Sequence, residues 1–388
     1  MLRRGATEIA ALALAAGCLC AFPAASVASA ERSDARLDRA LRAIVKMPEG
    51  PVGVSALVQR GKRAELHAAG RANLLRPGRI KAHQRMRIAS VTKAFTGAVL
   101  LRLVEQGGIK PGSTVGSLLP ELDPRWHPIT LRQLALHTSG LPNYTDTPAF
   151  QAYFPVHPRD HLSPEQILAF AESVDVEFPA GTRYEYSNTD NIVMALMAER
   201  VTGRPFKKLL SGLVLRPLRL RETTFSPRIE MPRPFIRGYL FDDDDGYLDL
   251  SEVFSPSGTW AAGMIVSTPR ELNRFMRAWA GGKLLRTAAG RRLQTAFLPP
   301  FTGGQPPGPG QNRGGWTLYR YSTPCGVILG HSGNFPGYTQ WAASTPDGSR
   351  SAVVTANVAL SPPSNGNQEV FRALRDIYQR AACSALAS

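Results

Sequence analysis

Residues 90–106 read SVTKAFTGAVLLRLVEQ, with apolar side chains on nearly every side of a helix. A helix that is apolar all round lies in the interior of a protein. Gly107 and Gly108 follow and mark its end. Ser90 and Lys93 are three residues apart at its first turn, so their side chains share one face. The sequence therefore predicts a central buried helix that begins with a hydroxyl and an amine in contact.

This Ser–Lys pair has the parts of a nucleophile and its base. A serine hydroxyl needs an adjacent base, and a lysine amine serves when burial or a nearby positive charge lowers its pKa. The helix N-terminus adds backbone N–H groups and the positive end of a dipole. A Ser-x-x-Lys tetrapeptide is common by itself. Its position at the head of a buried helix favours Ser90 as the nucleophile and Lys93 as the base.

Strand-like patterns occur at both ends of the chain, and helical patterns fill the middle. The strand patterns cover residues 52–58, 63–69, 316–321, 326–329, 338–343 and 351–358. Helical patterns cover residues 31–47, 130–136, 188–201 and 368–382, and a capped helix opens at residues 163–166. We expect one α/β lobe, about residues 31–86 and 260–388, with a helical lobe of about residues 87–259 inserted in it.

The N-terminus has the layout of a signal peptide. Two arginines precede an Ala/Leu-rich run at residues 9–25, and small residues at 28–30 offer a cleavage site. Cleavage after Ala30 leaves residues 31–388 as a single exported domain, periplasmic or extracellular. The alternative is a lipoprotein with Cys18 as the lipidated residue, but the usual large aliphatic residue three positions before the cysteine is missing.

Removal of that leader leaves two cysteines, Cys325 and Cys383, in a compartment that permits disulfides. A bond between them and two separate buried thiols are both compatible with the sequence. Spacing alone does not show whether the two Cα atoms lie within reach of a disulfide.

The composition is that of a folded, basic protein. Of 388 residues 43% are apolar, enough for a sizeable core, and the formal net charge is +16. The excess positive charge comes mostly from arginines scattered along the chain. It either keeps an exported protein near anionic envelope polymers without specificity or serves no partner. We find no nucleic-acid recognition motif, so no nucleic-acid partner is expected. The run Asp242–Asp245 matches no calcium loop and predicts a solvated turn. The oligomeric state stays open.

A second motif offers a phenol and an amide to a cleft. Tyr186 and Asn188 stand where a loop enters the next predicted helix. A tyrosine there can relay a proton between the nucleophile and a leaving nitrogen, and the amide can hold a substrate carbonyl. The alternative is an ordinary N-cap at Asn188 with a packed tyrosine. His137, in a His-Thr-Ser-Gly run, is interpreted as a residue that shapes a loop.

A third motif, His331-Ser332-Gly333, follows the apolar strand 327–329 at its edge, and a turn is predicted there. Gly333 lets a substrate backbone approach closely, and His331 can polarise the tyrosine or contact a substrate carboxylate. The run 330–334 looks like a nucleophile elbow, but it ends on Asn334 instead of glycine. Ser332 is therefore a poor candidate nucleophile.

In these motifs the chain resembles the β-lactamase-related serine hydrolases, which include class C β-lactamases, D-alanyl-D-alanine carboxypeptidases and related esterases. Three motifs match in order and approximate spacing: Ser90-x-x-Lys93, Tyr186-x-Asn188 and His331-x-Gly333. Connecting segments at 136–141, 179–188 and 261–268 support them, and the likeness covers most of residues 35–360. It implies an α+β fold, an antiparallel sheet flanked by helices with an inserted all-α lobe.

The resemblance also assigns roles. Ser90 would be acylated, Lys93 would be its base, and Tyr186 would shuttle protons with His331 beside it. Substrate would be positioned by Asn188, Ser332 and Gly333. The backbone N–H groups of Ser90 and Asn334 would form the oxyanion hole. No metal or organic cofactor is implied, and the substrate would be a small molecule or a peptide, including cell-wall peptide.

One departure bears on the substrate. Many class C β-lactamases carry lysine where this chain has His331, and a histidine there resembles certain exported carboxypeptidases and several esterases. Since histidine lacks permanent charge at neutral pH, its grip on a carboxylate should depend on pH. A D-alanyl-D-alanine carboxypeptidase-like acyl hydrolase is the leading hypothesis. The alternatives are a β-lactamase or carboxylesterase, and a non-catalytic penicillin-binding or cell-wall sensor module.

Overall fold

The computed structural model of the protein describes residues 22–299, 308–309, 311–360 and 368–387. Most of the predicted leader, including Cys18, lies outside the described residues. The first helix begins at Phe22 and continues past Ala30 to Ile44. Among the helices that are described, none combines the length and hydropathy that crossing a bilayer requires.

The α-helices of the described residues are α1 (Phe22–Ile44), α2 (Thr92–Glu105), α3 (Val115–Leu118), α4 (Leu131–Ala135), α5 (Pro148–Val156), α6 (Pro164–Glu172), α7 (Asn188–Thr202), α8 (Phe206–Leu210), α9 (Trp260–Gly263), α10 (Pro269–Ala280), α11 (Ala288–Gln294) and α12 (Gln368–Leu386). Short 3₁₀ turns cover Ala89–Val91, Pro124–Trp126, Tyr144–Asp146 and Pro256–Thr259, and a π turn covers Ser211–Leu215.

The strands are β1 (Gly53–Arg60), β2 (Arg63–Gly70), β3 (Met86–Arg87), β4 (Thr224–Phe225), β5 (Tyr239–Asp242), β6 (Gly246–Asp249), β7 (Ile265–Ser267), β8 (Gln311–Gly314), β9 (Tyr319–Thr323), β10 (Gly326–Phe335), β11 (Tyr338–Ser344) and β12 (Arg350–Ala356). Seven of them form one sheet in the order β2-β1-β12-β11-β10-β9-β8, and every pairing in it is antiparallel. Three short strands form a sheet in the order β3-β7-β4, and β5 pairs with β6.

Helices cover both faces of the seven-stranded sheet. Because side chains alternate between the faces of a strand, Val54, Trp341 and Val354 pack against α1 and α12 in one apolar cluster. Leu57 and Val353 face the other way, into the larger cluster that holds α10 and α2. The N-terminal and C-terminal parts of the chain thus build one sheet, and the predicted α+β class with an antiparallel sheet and an inserted helical part is confirmed. The lobe boundaries stay a prediction.

Helix α2 runs through the larger cluster, and twelve of its fourteen residues are buried. Its Phe95 ring stacks on Phe275 of α10, and the Thr96 hydroxyl donates to the carbonyl oxygen of Ala261 at 2.7 Å. Gly107 follows the helix with φ +74°, a left-handed conformation that ends helices and favours glycine. The packing anchors the start of α2, with Lys93 in its first turn and Ser90 just before it, against the sheet and α9.

Two strand predictions need correction. The strand expected at 316–321 begins instead at Tyr319, because Thr317 has φ +48° and so interrupts an extended chain. Strand β10 does not end near Leu329 but continues to Phe335, so His331, Ser332 and Gly333 lie within a strand and not at a turn. Pairing with β11 carries β10 through this polar and glycine-containing segment, since tertiary contacts override weak strand propensity.

Cys325 and Cys383 are joined by a disulfide, with their Cα atoms 5.3 Å apart. Cys325 lies in the turn between β9 and β10, and Cys383 lies in α12. Of the two possibilities open at the sequence level, the structure has the bond. The turn predicted at Asp242–Asp245 also forms, and joins β5 to β6.

Candidate active site

Ser90 and Lys93 are in contact at the N-terminus of α2. The Lys93 Nζ lies 2.9 Å from the Ser90 Oγ and 2.9 Å from the carbonyl oxygen of Ala262 in α9. The Lys93 side chain is fully buried, whereas Ser90 is half-buried. The 3₁₀ turn at Ala89–Val91 presents the serine just before the helix, where backbone N–H groups have no acceptor within the helix.

Burial lowers the pKa of Lys93 well below its ordinary value, and the nearby Asp190 carboxyl partly opposes this shift. Burial likewise raises the pKa of Asp190 well above its ordinary value, against the influence of a Ser139 hydrogen bond and of Lys93. Both groups are thus driven toward their uncharged forms by the same lack of solvent. An uncharged amine beside an alcohol is what a general base for Ser90 requires.

Asp190 is held from two sides at the first turn of α7. The Ser139 hydroxyl donates to its Oδ1 at 2.5 Å, and its Oδ2 lies 2.7 Å from the His137 Nδ1. Burial, and to a lesser degree Lys93, lowers the pKa of His137 to about 3, so this ring is neutral at pH 7. Its ring also packs on Tyr186, with the centroids 4.7 Å apart. His137 therefore does more than shape a loop.

Tyr186 is the second group that reaches Ser90. Burial raises the pKa of Tyr186, and a hydrogen bond with Ser90 only partly offsets this. The phenol therefore keeps its proton at neutral pH and can donate it. The Lys93 Nζ lies 5.0 Å from the centre of the Tyr186 ring. The serine hydroxyl consequently has two neighbours, an amine whose charge is disfavoured by burial and a phenol that keeps its proton.

Asn188 begins α7 and is fixed by Asn143 and Thr145. Its Nδ2 donates to the Asn143 Oδ1 at 3.0 Å and to the Thr145 Oγ1 at 3.2 Å, and its backbone N–H also donates to Asn143. Ser187, not Asn188, occupies the N-cap, and its side chain makes no capping bond. The Asn188 amide is therefore held in the wall of a cavity rather than used as a helix cap.

That cavity has a volume of about 310 Å³ and contains the serine. Its polar wall includes Ser90, Asn188, Asn334, Asp146 and Gln151. Its apolar wall is formed by Tyr144, Phe150, Phe154, Phe335 and Pro336, with several small residues between. None of the described residues that line it is a lysine or an arginine. Asp146 is exposed and accepts hydrogen bonds from Asn143 and Thr145.

Strand β10 passes beside Ser90 with very little clearance. A β-carbon on Gly333 would come within 2.5 Å of the Ile88 carbonyl oxygen and 2.8 Å of the Ser90 backbone nitrogen. Pairing of β10 with β9 stops at Gly330, so residues 331–335 are paired only with β11. Asn334 lines the cavity beyond this contact, and its side chain donates to the Leu360 carbonyl oxygen. Gly333 thus sets how close the strand comes to the serine.

His331 and Ser332 are close by but buried, and neither lines the cavity. The His331 Nδ1 lies 2.5 Å from the Ser332 carbonyl oxygen, which makes it the donor. Burial, with Lys93 as a further cause, lowers the pKa of His331 well below its ordinary value. Because the ring is closed off from water, this burial argues against a His331 charge near neutral pH.

Several neighbours of the site were missed at the sequence level. Asp190 acts electrostatically on Lys93, and the Ala262 carbonyl oxygen accepts a hydrogen bond from it, both from positions far along the chain. Asp146, Phe150 and Phe154 shape the cavity from the turn and helix that follow residue 143. The His-Thr-Ser-Gly run at 137–140 was the available signal, since it supplies both partners of Asp190.

A sequence profile of the protein family described as Beta-lactamase matches residues 37–376. The chain belongs to the β-lactamase family. Within that family it is a serine hydrolase, as its relatives among the carboxypeptidases, aminopeptidases and amidases support. The resemblance predicted from the three motifs is confirmed.

Curated relatives of this β-lactamase-family chain cover part of its length. It is 27% identical over 254 residues to D-alanyl-D-alanine-carboxypeptidase/endopeptidase AmpH of Escherichia coli K12, spanning 63% of this chain and 62% of that protein. It is 26% identical over 284 residues to penicillin-binding protein 4* of Bacillus subtilis, spanning 70% and 60%. The chain thus spans about three-fifths of the length of these relatives.

Solved structures match over more of the chain. The D-stereospecific amidohydrolase from Streptomyces sp. is 32% identical with a TM-score of 0.75, over 88% of this chain and 98% of that one. The D-amino acid amidase from Ochrobactrum anthropi SV3 has a TM-score of 0.77 over 91% and 98% of the two chains. At 24% identity, the second match establishes the fold alone.

Proposed function

We propose that this chain is an exported hydrolase that cleaves the amide bonds of D-amino-acid peptides or amides through an acyl-enzyme on Ser90. The observation that carries the proposal is the fully buried amine of Lys93, 2.9 Å from the Ser90 hydroxyl. A lysine that only bound substrate would need its charge, and burial works against that charge here.

The chemistry follows from the neutral groups around the serine. Lys93 takes the Ser90 proton as the Oγ attacks the substrate carbonyl carbon, and the oxyanion is held by the N–H groups of Ser90 and Asn334. Each such donor contributes about 3 kcal/mol in comparable hydrolases. Tyr186 then gives its proton to the leaving nitrogen, the C–N bond breaks, and water attacks the ester on Ser90 with the same groups in reverse order.

The leading substrate hypothesis is a peptidase of the D-alanyl-D-alanine carboxypeptidase type. AmpH carries that activity in its name. Such a substrate ends in a carboxylate, for which the described cavity wall offers no lysine or arginine and His331 offers no charge. Asn188 can hold the substrate carbonyl, and Gly333 can let its backbone approach.

A second candidate is an aminopeptidase or amidase that acts on an N-terminal D-residue. The Asp146 carboxylate in the cavity wall favours it, because a carboxylate attracts a free ammonium group and repels a terminal carboxylate. The aromatic wall suits an apolar side chain on that residue. D-aminopeptidase of Cereibacter sphaeroides, 29% identical over 213 residues, carries the corresponding name.

One set of assays separates these hypotheses. Purified protein is incubated with a fluorescent penicillin, a p-nitrophenyl ester, a D-alanyl-D-alanine peptide and D-phenylalanine amide, and both adduct mass and product release are followed. We expect a Ser90 adduct and turnover of one amide substrate, both lost in Ser90→Ala and kept in Ser173→Ala, a matched change at an exposed helix end. Rapid penicillin turnover identifies a β-lactamase, and ester turnover alone identifies an esterase. No adduct and no turnover leaves a binding module and overturns the proposal.

Export is tested separately. The expected mature N-terminus is Glu31, to be read by N-terminal sequencing of the protein recovered from the cell envelope or medium. The Cys325–Cys383 bond is supporting evidence, since disulfides persist in oxidising compartments. A protein that keeps its Met1 would contradict the cleavage, and a lipid on Cys18 would favour the lipoprotein alternative.

A further inference from the structure

A second cavity, separate from the serine site, has charged lining residues that are all cationic. It has a volume of about 550 Å³ and lies between the segment that links β2 to β3 and the segment that precedes β5. Its charged wall consists of Arg76, Arg79, Lys81, Arg233 and Arg237, with His83 beside them. No aspartate or glutamate lines it among the described residues. We call this the cationic groove.

Most of these cations have no internal partner. Arg76, Arg79, Lys81 and Arg233 are exposed, and within the described chain their charged ends make no ion pair or hydrogen bond. Arg237 alone is paired, with Asp249 of β6. Cations that make no ion pair repel one another at short range, so an anion from outside the chain would stabilise a concave wall of this kind.

We propose that the cationic groove binds a linear polymer without bases that carries a phosphate at each repeat, of which inorganic polyphosphate is the simplest. Four unpaired cations around one concavity suit several phosphates in succession. The groove is also larger than a single phosphate requires. The residues that line it are absent from the wall of the serine cavity, so binding there does not depend on the catalytic proposal.

The neighbouring β5–β6 hairpin argues against a flat anionic membrane as the partner. The Leu74 backbone N–H donates to the Tyr239 hydroxyl at 2.8 Å, and Arg237 bonds Asp249, so the hairpin adjoins the groove. Its turn carries four consecutive aspartates, residues 242–245. A flat anionic surface that covered both the groove and the hairpin would be repelled by these carboxylates, whereas a single chain confined to the groove need not contact them.

The test measures binding of inorganic polyphosphate to the full chain by fluorescence anisotropy, in a salt series. The variant Arg79→Glu/Arg233→Glu reverses two of the unpaired charges. Its matched control, Arg204→Glu/Arg216→Glu, makes the same change in net charge at two exposed arginines that do not line the groove. Thermal unfolding and hydrolysis of a p-nitrophenyl ester check that both variants are folded, since neither touches the serine site.

We expect the groove variant to weaken polyphosphate binding at least about tenfold and to reduce the slope of log K against log salt by about 1 to 2, as loss of two phosphate contacts requires. The control variant should change binding less than about threefold. Equal weakening in both variants, or no binding at low salt, overturns the proposal. The proposal is also overturned if the groove variant loses binding to phosphatidylglycerol vesicles but keeps its binding to polyphosphate.

Discussion

The amine of Lys93 lies 2.9 Å from both the Ser90 hydroxyl and the Ala262 carbonyl, in a place closed to solvent. Its base form is the uncharged one, so hydrolysis of a p-nitrophenyl ester should rise with pH through the lowered pKa of Lys93 and be lost below it. The Asp190 carboxyl raises that pKa. Asp190→Asn should therefore move the rising limb of kcat/KM to lower pH.

Two further variants sharpen this measurement. The Ser139 hydroxyl lowers the pKa of Asp190, so Ser139→Ala leaves less of the carboxylate charged and should move the limb in the same direction by a smaller amount. Asp243→Asn, in the exposed turn, should leave the limb where it is. A limb that stays fixed in Asp190→Asn, or moves to higher pH, would show that Lys93 is not the titrating base.

The phenol of Tyr186 makes a different prediction. An amide nitrogen leaves only with a proton, whereas p-nitrophenolate leaves without one. Tyr186→Phe should therefore lower kcat/KM, which reports acylation alone, by about 100-fold or more for the amide and by much less for the ester. Steady-state kinetics on D-phenylalanine amide and on a p-nitrophenyl ester measure the two losses, with Tyr247→Phe in the β5–β6 hairpin as the matched change. Equal losses on both substrates would argue against proton donation to the leaving group.

At the scale of a single element, strand β10 positions the serine site, because Gly333 lies against the segment that carries Ser90. Gly333→Ala would place a β-carbon 2.8 Å from the Ser90 nitrogen and push the strand away. Activity should fall by roughly 100-fold, since a shift of about 1 Å in a catalytic group has such effects. Gly112→Ala, which meets no atom within 4 Å, is the control for the same substitution and should keep full activity. Ester kinetics and thermal unfolding are measured for both variants. A Gly333→Ala protein that is both stable and fully active would refute the idea.

Local spacing explains which parts of the site the sequence could predict. Ser90 and Lys93 touch because a three-residue interval on a helix aligns side chains, and α2 was recognisable from its all-round apolar surface. Asp190 could not be predicted as a neighbour of Lys93, because only the packing of α7 beside α2 brings it there. The length of β10 was likewise hidden, since its polar residues 331–334 are held extended by pairing with β11.

At the scale of the whole molecule, the two ends of the chain depend on each other. Helices α1 and α12 pack together on one face of the sheet. Arg60 of β1 bonds both Asp34 of α1 and the Ser384 hydroxyl of α12. The order of strand and helix patterns predicted this closure of the termini into one layer. The pairing of Cys325 with Cys383 needed three-dimensional proximity and could not be read from spacing.

That disulfide closes a loop across 58 positions, and it fastens α12 to the turn before β10. In the chain-entropy model, a disulfide that closes a loop of this length stabilises the folded protein by about 4 kcal/mol, because it lowers the conformational entropy of the unfolded chain. Cys325→Ala/Cys383→Ala should therefore lower the free energy of unfolding in urea by up to about 4 kcal/mol, whereas reductant should destabilise the parent and leave the variant unchanged. Thiol titration of the unfolded protein cleaved after Ala30, which keeps only these two cysteines, should find neither of them free without reductant. Two titratable thiols, or a variant as stable as the parent, would mean that α12 is held to the sheet by packing alone.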